Sequence, residues 1–570
     1  MLRFLPLAVV LVLVVSACVV EPSSGADAGG SDGPAVGLDG SSADSQATDS
    51  TNEVAGLDHG LPPGVTADAV LPWPQAAPPL EPACTPQPGA MDLPLLATSG
   101  DIELVGSGHL QAVGVEETLE LRVHIAGNAS LDLAALPTPT VAVAPDMELL
   151  SVSAPMAGYA AARVRFKAPG KHTVTASLPD GRKGSAQFQA YTTALPVWEV
   201  DIAAPDLFLL MTQPSTKLYY PAKVTVQGKV YPGSQLRLHG GTSKGFPKKS
   251  FRIDLPAGQS LPSGERKLVL RGEYNDKTML RTFLAYQVFR RATWLPVPKT
   301  EPIHLRLNGR YYGLMHKVQR LGGDFLTQWG RNPDGELFEA DPPGNLSGEA
   351  YGNLEPLVPP SLYAQVYQAH AGAKSYAGLV ELIEQILTLP DAAFFAVAEG
   401  QIKVDDWLVY AATMAALQNH EHIRKNAYWY RDTKAADPRW EVLPWDLDMT
   451  LGHLWSEALD VLDEAIITNG PLLTGHPSVV PTFHNRMYRL LDLPAYRSRF
   501  EAAVRHAAKT GLDPAFLDGR IAWYLCRAGP DLVADQGKRA SNAEYQKRVQ
   551  EIRDFATGRR AFIQAQLGGQ

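Results

Sequence analysis

Glu421, Asn426, Asp446 and Asp448 are the side chains of this sequence best placed by type and spacing to do chemistry. They flank the stretch N-H-E-H-I-R-K-N-A-Y-W-Y-R-D (419–432), a polar turn (433–438) and W-E-V-L-P-W-D-L-D-M-T-L-G (440–452). Residues 427–432 alternate around aromatics and 440–443 are β-prone, so the spacing predicts a hairpin with an Asp/Pro-rich turn. A hairpin brings its two ends together, which would gather three carboxylates and an amide. Such a set of oxygen donors suits a hard divalent cation such as Mg²⁺. His420 and His422 flank Glu421 and offer a rival reading as transition-metal ligands of a hydrolase, although a third fixed ligand is not evident.

A second candidate lies upstream in Q-L-R-L-H-G-G-T-S-K-G-F-P-K-K-S-F-R-I-D (235–254), a strand, a Gly-rich turn and a second strand starting near Lys249. Gly240, Gly241 and Gly245 with Ser243 could turn backbone N–H groups toward a phosphate, and Lys248 or Lys249 could add charge. Taken alone, such a turn is more often a plain hairpin loop.

These residues need a scaffold. The chain has 570 residues, enough for several domains, and a formal net charge of −9, which gives no broad electrostatic case for nucleic acid or an anionic lipid surface. At the N-terminus Arg3 precedes a mostly apolar run (4–15) that ends in Val15-Ser16-Ala17-Cys18. The run is too short to span a bilayer and fits a signal-peptide core. The V-S-A-C ending resembles a bacterial lipobox. It implies removal of residues 1–17, lipid on Cys18 as the membrane contact, and a place in the bacterial cell envelope, at the outer membrane or cell surface. Residues 18–97 read as a linker: 21–53 are almost all Ser, Gly, Asp and Ala, and 61–88 are Pro-rich. Cys84 and Cys526 either form a disulfide, as an exported protein permits, or remain two buried thiols.

Over 98–194, short alternating runs (119–125, 140–143, 162–166, 172–178) separated by Gly, Pro and Asp turns predict a small all-β sandwich of immunoglobulin-like type. A main domain over 195–570 follows. Residues 207–231 read as strands, and Asp276 is placed to cap a helix carrying Leu280, Leu284, Val288 and Phe289 on one face. Asn308-Gly309 marks a hairpin over 303–318. Residues 362–389 and 402–416 read as helices, as do four amphipathic segments after 481. Strands first and helices later argue an α+β class.

Six of these segments, in order, resemble the CotH (spore coat protein H) kinase family, atypical kinases with a protein-kinase-like fold. They are G-G-T-S-K-G-F-P-K-K-S-F-R-I-D (240–254), N-D-K-T-M-L-R (275–281), N-G-R-Y-Y-G-L (308–314), G-E-L-F-E-A (335–340), N-H-E-H-I-R-K-N-A-Y-W-Y and P-W-D-L-D-M-T-L-G. The resemblance implies phosphoryl transfer from ATP to Ser or Thr of a protein, with Mg²⁺ or Mn²⁺. It implies that Lys248 or Lys249 contacts phosphate, that Asn426 and Asp446 or Asp448 bind metal, and that the base lies five residues before Asn426. There the family carries Asp and this chain Glu421. It also departs at His239, where Arg is usual, and at Gln319, where a Glu that would pair with the lysine is common. A catalytically impaired, kinase-like binding protein and a surface-adhesion lipoprotein are the alternatives.

Overall fold

The computed structural model describes Leu71, Cys84 and residues 98–100, 102–106, 112–125, 137–155, 159–214, 217–342, 352–419, 421, 425–453, 468–472 and 485–568. The expected signal peptide, Cys18, both histidines of H-E-H and all of the linker except Leu71 and Cys84 lie outside the described residues.

Period-2 burial builds the first unit. Ala160–Phe166 and Lys183–Tyr191 bury every second side chain, as strands with one face on a core do. One sheet runs Thr98–Gly100, Lys183–Tyr191, Gly170–Ser177, Thr140–Val143, with Ala112–Gly114 parallel to Lys183–Tyr191; the other runs Ile102–Gly106, Thr118–Ile125, Ala160–Phe166, Met147–Val152. Leu121, Val123, Val164, Phe166, Val174 and Phe188 form one core from both sheets.

Seven strands of the main domain close into a barrel rather than forming an open sheet. They are β1 (Val197–Ile202), β2 (Tyr220–Val226), β3 (Lys229–Leu238), β4 (Phe251–Asp254), β5 (Lys267–Arg271), β6 (Thr300–Leu307) and β7 (Arg310–Gln319). Closure comes from β1, which pairs antiparallel with β2 and parallel with β6. Leu268 and Leu270 of β5 join the barrel interior, while Val269 joins the larger core outside it. The same alternation sends Arg271 out on the Val269 side.

A four-stranded antiparallel sheet follows, in the order β9 (Tyr367–Ala371), β8 (Glu336–Ala340), β10 (Ala427–Arg431), β11 (Glu441–Pro444). Tyr428, Trp429 and Tyr430 are at most 2% exposed, so these aromatics are core and not a sugar platform. Helices complete the domain: α1 (Ala204–Thr212), α2 (Arg281–Ala292), α3 (Val404–Leu417), α4 (Pro494–Thr510), α5 (Pro514–Ala534) and α6 (Asn542–Leu567). All but α1, which packs on the barrel, contribute to the core shared with the second sheet. Among the described residues no helix is long and apolar enough to cross a membrane.

Two local readings are corrected. Part of 207–231 is the helix α1, with Pro205 in its first turn, where a missing N–H costs nothing. Within 362–389, residues Tyr367–Ala371 form β9 because β8 pairs with them along their whole length; ladder formation overrides helical periodicity there.

Tertiary clamps tie the units together. Cys84 and Cys526 of α5 form a disulfide with Cα atoms 6.0 Å apart, and Leu71 enters the main core. Where the all-β unit meets the barrel, His304 of β6 is wholly buried between Asp531 of α5 (2.5 Å from Nδ1) and Glu117 (2.5 Å from Nε2). Thr193 and Tyr191 donate hydroxyls to Asp531, and Arg306 lies 3.7 Å from Glu117. Burial alone would lower the His304 pKa, but the two carboxylates outweigh it and raise it to about 9.

Candidate nucleotide and metal site

The hairpin sets the geometry. Pairing of β10 with β11 places Ala427 opposite Pro444, so Asn426 and Asp446 leave its open end side by side. Both take left-handed backbone, with φ of 63° and 54°, a region that Asn and Asp enter more readily than other residues bearing side chains. On the incoming side α3 ends at Gln418, also left-handed (φ 52°). Asn419 Oδ1 then accepts the N–H of Glu421 at 3.0 Å. The C-terminal helix supports this delivery: buried Arg559 of α6 donates to the carbonyls of Ala415, in the last turn of α3, and of Thr468 and Gly470.

One carboxylate oxygen each from Glu421, Asp446 and Asp448 lie within 4.8 Å of one another. Glu421 is held at both oxygens, by Asn426 Nδ2 at 2.6 Å and by Lys425 Nζ at 2.9 Å. With its nitrogen committed to Glu421, Asn426 has Oδ1 to offer as a ligand atom. Asp448 accepts from Asn275 Nδ2 at 2.8 Å.

Arg271 crosses the cluster. One terminal nitrogen donates to Asp446, the other to Asp448 at 2.8 Å, and Nε donates to Glu273 at 2.9 Å. Glu273 is itself fixed by the Thr282 hydroxyl at 2.9 Å. Burial would raise the Asp446 pKa, yet Arg271 and Lys425 hold it below the usual range. Asp448 is pushed up to about 7 by burial and by the neighbouring Asp446 charge. His239 is half-buried, and desolvation and the Arg271 charge drive its pKa down to about 3, so its ring is neutral.

The donor set fits a hard divalent ion. Every candidate ligand is an oxygen. Four carboxylates (Glu273, Glu421, Asp446, Asp448) also face two cations (Arg271, Lys425), a formal surplus of two negative charges.

The Gly-rich segment folds as expected up to a point. A short 3₁₀ turn, Thr242–Gly245, links β3 to β4. Gly240 has φ of 99°, and a Cβ there would lie 2.0 Å from Ser243 Oγ, so the turn requires glycine. Gly241 and Gly245 face open space. Phe246 packs on Tyr274 at 5.6 Å between ring centres, joining the turn to the loop after Arg271. Ser250 Oγ accepts the Gly272 N–H at 2.9 Å, and a Cβ on Gly272 would meet the Lys249 carbonyl at 2.9 Å. The lysine backbone therefore lies against the residue that follows Arg271.

The two lysines differ. Lys249 Nζ donates to the Lys244 carbonyl at 2.8 Å and stays with the turn. Lys248 is corrected: its ammonium is sealed inside, 2.5 Å from Asp535 Oδ2 and 2.6 Å from the Leu314 carbonyl, with side chains at most 1% exposed. A buried, fully paired ammonium is a structural charge and not a phosphate contact. Gln319 pairs with no lysine ammonium, as expected of an amide at this position. It bonds Gln328 and the Lys299 N–H, and Asp535 provides the carboxylate.

Sequence reasoning missed Arg271, Glu273, Lys425 and Asp535 as parts of this region. The alternation of K-L-V-L-R was the available signal for Arg271, since it places the guanidinium outside the barrel. No protein of curated function matches the chain. The family model described as CotH kinase protein matches residues 236–563, more than half of the sequence and the whole of the site just described. With six motifs in order and their acidic residues gathered at one hairpin, this chain belongs to the CotH kinase protein family.

Proposed function

We propose that this protein is an exported, lipid-anchored kinase that transfers the γ-phosphoryl group of ATP to a Ser or Thr hydroxyl of a protein. The observation that carries the reading is the meeting of Glu421, Asn426, Asp446 and Asp448 at one hairpin end. Phosphoryl transfer asks a protein mainly for positioning and charge neutralisation, and this cluster supplies both. Asp446, Asp448 and Asn426 Oδ1 would hold Mg²⁺ or Mn²⁺, whose chemistry here would be to neutralise polyphosphate charge.

Glu421 is the acceptor for the hydroxyl proton. As the substrate oxygen bonds to the γ-phosphorus, the bond to the β–γ bridging oxygen breaks, ADP leaves, and the proton passes to Glu421. Asn426 and Lys425 fix the carboxylate, and Lys425 offsets its charge. Lys249 and the glycines of the turn are the phosphate-side contacts. The all-β unit, read as immunoglobulin-like, acts as a spacer between this domain and a lipid on Cys18. The Cys84–Cys526 disulfide supports an oxidising compartment such as the cell envelope.

One observation favours a second reading. Both Glu421 oxygens are engaged and Arg271 spans the metal ligands, so a member that binds nucleotide without transferring phosphate is the competing class. Incubation with γ-labelled ATP and Mg²⁺ or Mn²⁺ decides. Label on protein, lost in Asp446→Asn and reduced at least about 100-fold in Glu421→Ala, is expected for the kinase. Nucleotide binding with no label in the wild type would select the binding protein.

A further inference from the structure

Among the described residues, ion-paired cations elsewhere in this domain face one or two carboxylates, as Lys317 faces Glu265 and Glu301. Lys248 meets Asp535 and Arg281 meets Asp276, all four side chains at most 1% exposed. Arg271 departs from that pattern. It faces three carboxylates at once, and its side chain is 13% exposed while Asp446 is 28% exposed. The three contacts are unequal. Glu273 is wholly buried and anchored by Thr282, so the Nε contact is fixed. The terminal nitrogens reach instead to Asp446 and Asp448, whose side chains are 28% and 11% exposed. A guanidinium bridging two carboxylates is the arrangement a divalent cation would replace, and its planar fork also matches phosphate oxygens.

We propose that Arg271 is an internal cation that occupies the metal ligands Asp446 and Asp448 in the resting protein, gives them up to a divalent cation, and then uses the freed fork, hinged at Glu273, to bind the nucleotide's polyphosphate. The second half rests on the kinase reading; the first does not. The competition lowers affinity for metal alone and makes metal and nucleotide bind together. The metal releases the fork, and the phosphate gives the fork a new partner. The same contact would keep the excess carboxylate charge partly compensated whenever metal is absent.

The test uses the full chain and Mn²⁺ alone, titrated calorimetrically, and then ATP in saturating Mn²⁺. Arg271→Met should bind Mn²⁺ at least tenfold more tightly than wild type and bind ATP with Mn²⁺ at least tenfold more weakly. Arg271→Lys keeps the charge but cannot bridge two carboxylates, and should fall between on both measures; it carries the test if Arg271→Met lacks a native circular dichroism spectrum. Equal or weaker Mn²⁺ binding by the folded variants overturns the proposal, and tighter Mn²⁺ with unchanged ATP affinity overturns its phosphate-binding half. Wild type that binds Mn²⁺ but no nucleotide would count against the kinase reading, with the Mn²⁺ comparison still a valid readout of the displacement.

Discussion

Two buried charge clusters in this chain are built to opposite rules. At the junction of the all-β unit and the barrel, Glu117 and Asp531 face His304 and Arg306, two charges of each sign, with the imidazole wholly enclosed. At the hairpin end, four carboxylates face two cations and Asp446 remains partly exposed. The first cluster is balanced in charge as it stands and fixes one domain on another. The second is incomplete by two charges, and that deficit marks it as the place for a ligand. Burial and polarity alone do not tell a latch from a site; charge balance and access do.

The comparison can be broken most forcefully at the latch. Asp531→Ala leaves the His304 imidazolium with one partner, and removing one member of a buried pair costs about 3–5 kcal/mol. Urea unfolding should show that loss, and a loss below about 1 kcal/mol would mean the latch is not a closed cluster.

Next in size is pH. The folded pKa of His304 is raised from the ordinary 6.5 to about 9, so its contribution is complete below 6.5 and disappears as pH climbs through 9. The span corresponds to on the order of 3 kcal/mol. Unfolding free energies at pH 6 and pH 10 should differ by that amount in wild type and much less in His304→Gln.

The site should answer with the other sign. Asp448→Asn removes surplus negative charge, so without metal the variant is expected to equal or exceed wild-type stability by about 1 kcal/mol, as functional sites often trade stability for activity. A large destabilisation would show that the cluster is balanced after all. The smallest effect belongs to the turn. Gly240→Ala places a methyl group on Ser243 Oγ at a left-handed φ, a strain of about 1 kcal/mol, read as a small fall in melting temperature that Ser243→Gly partly reverses.

Much of this was legible in the sequence because the signals were local. The aromatic alternation of 427–431, the Asn308-Gly309 turn (φ 50° and 73°) and the helix entered after Asp276 are set within a few residues. Asp276 accepts the N–H groups of Leu280 and Arg281, yet Leu280 is the N-cap, so Asp276 braces the approach to the helix from four residues upstream and does not cap it. The hidden parts depend on distant pairing. Lys248 and Lys249 look equivalent in sequence, yet adjacent residues on an extended chain face opposite ways, so one meets Asp535 inside and the other returns to the turn. Residues 367–371 form a strand only because β8 lies beside them. Arg271 joins Asp446 and Asp448 across 175 and 177 residues, a distance no spacing rule covers.

The charge deficit at the hairpin end is most directly tested by thermal unfolding of the full chain in chelator, in Mg²⁺, and in Mg²⁺ with ATP. A ligand present at about 100 times its dissociation constant adds about 2.7 kcal/mol of stability. Wild type should therefore melt several degrees higher with Mg²⁺ and ATP, and Asp446→Asn should not. An unchanged midpoint in wild type, or an equal rise in Asp446→Asn, would contradict the assignment.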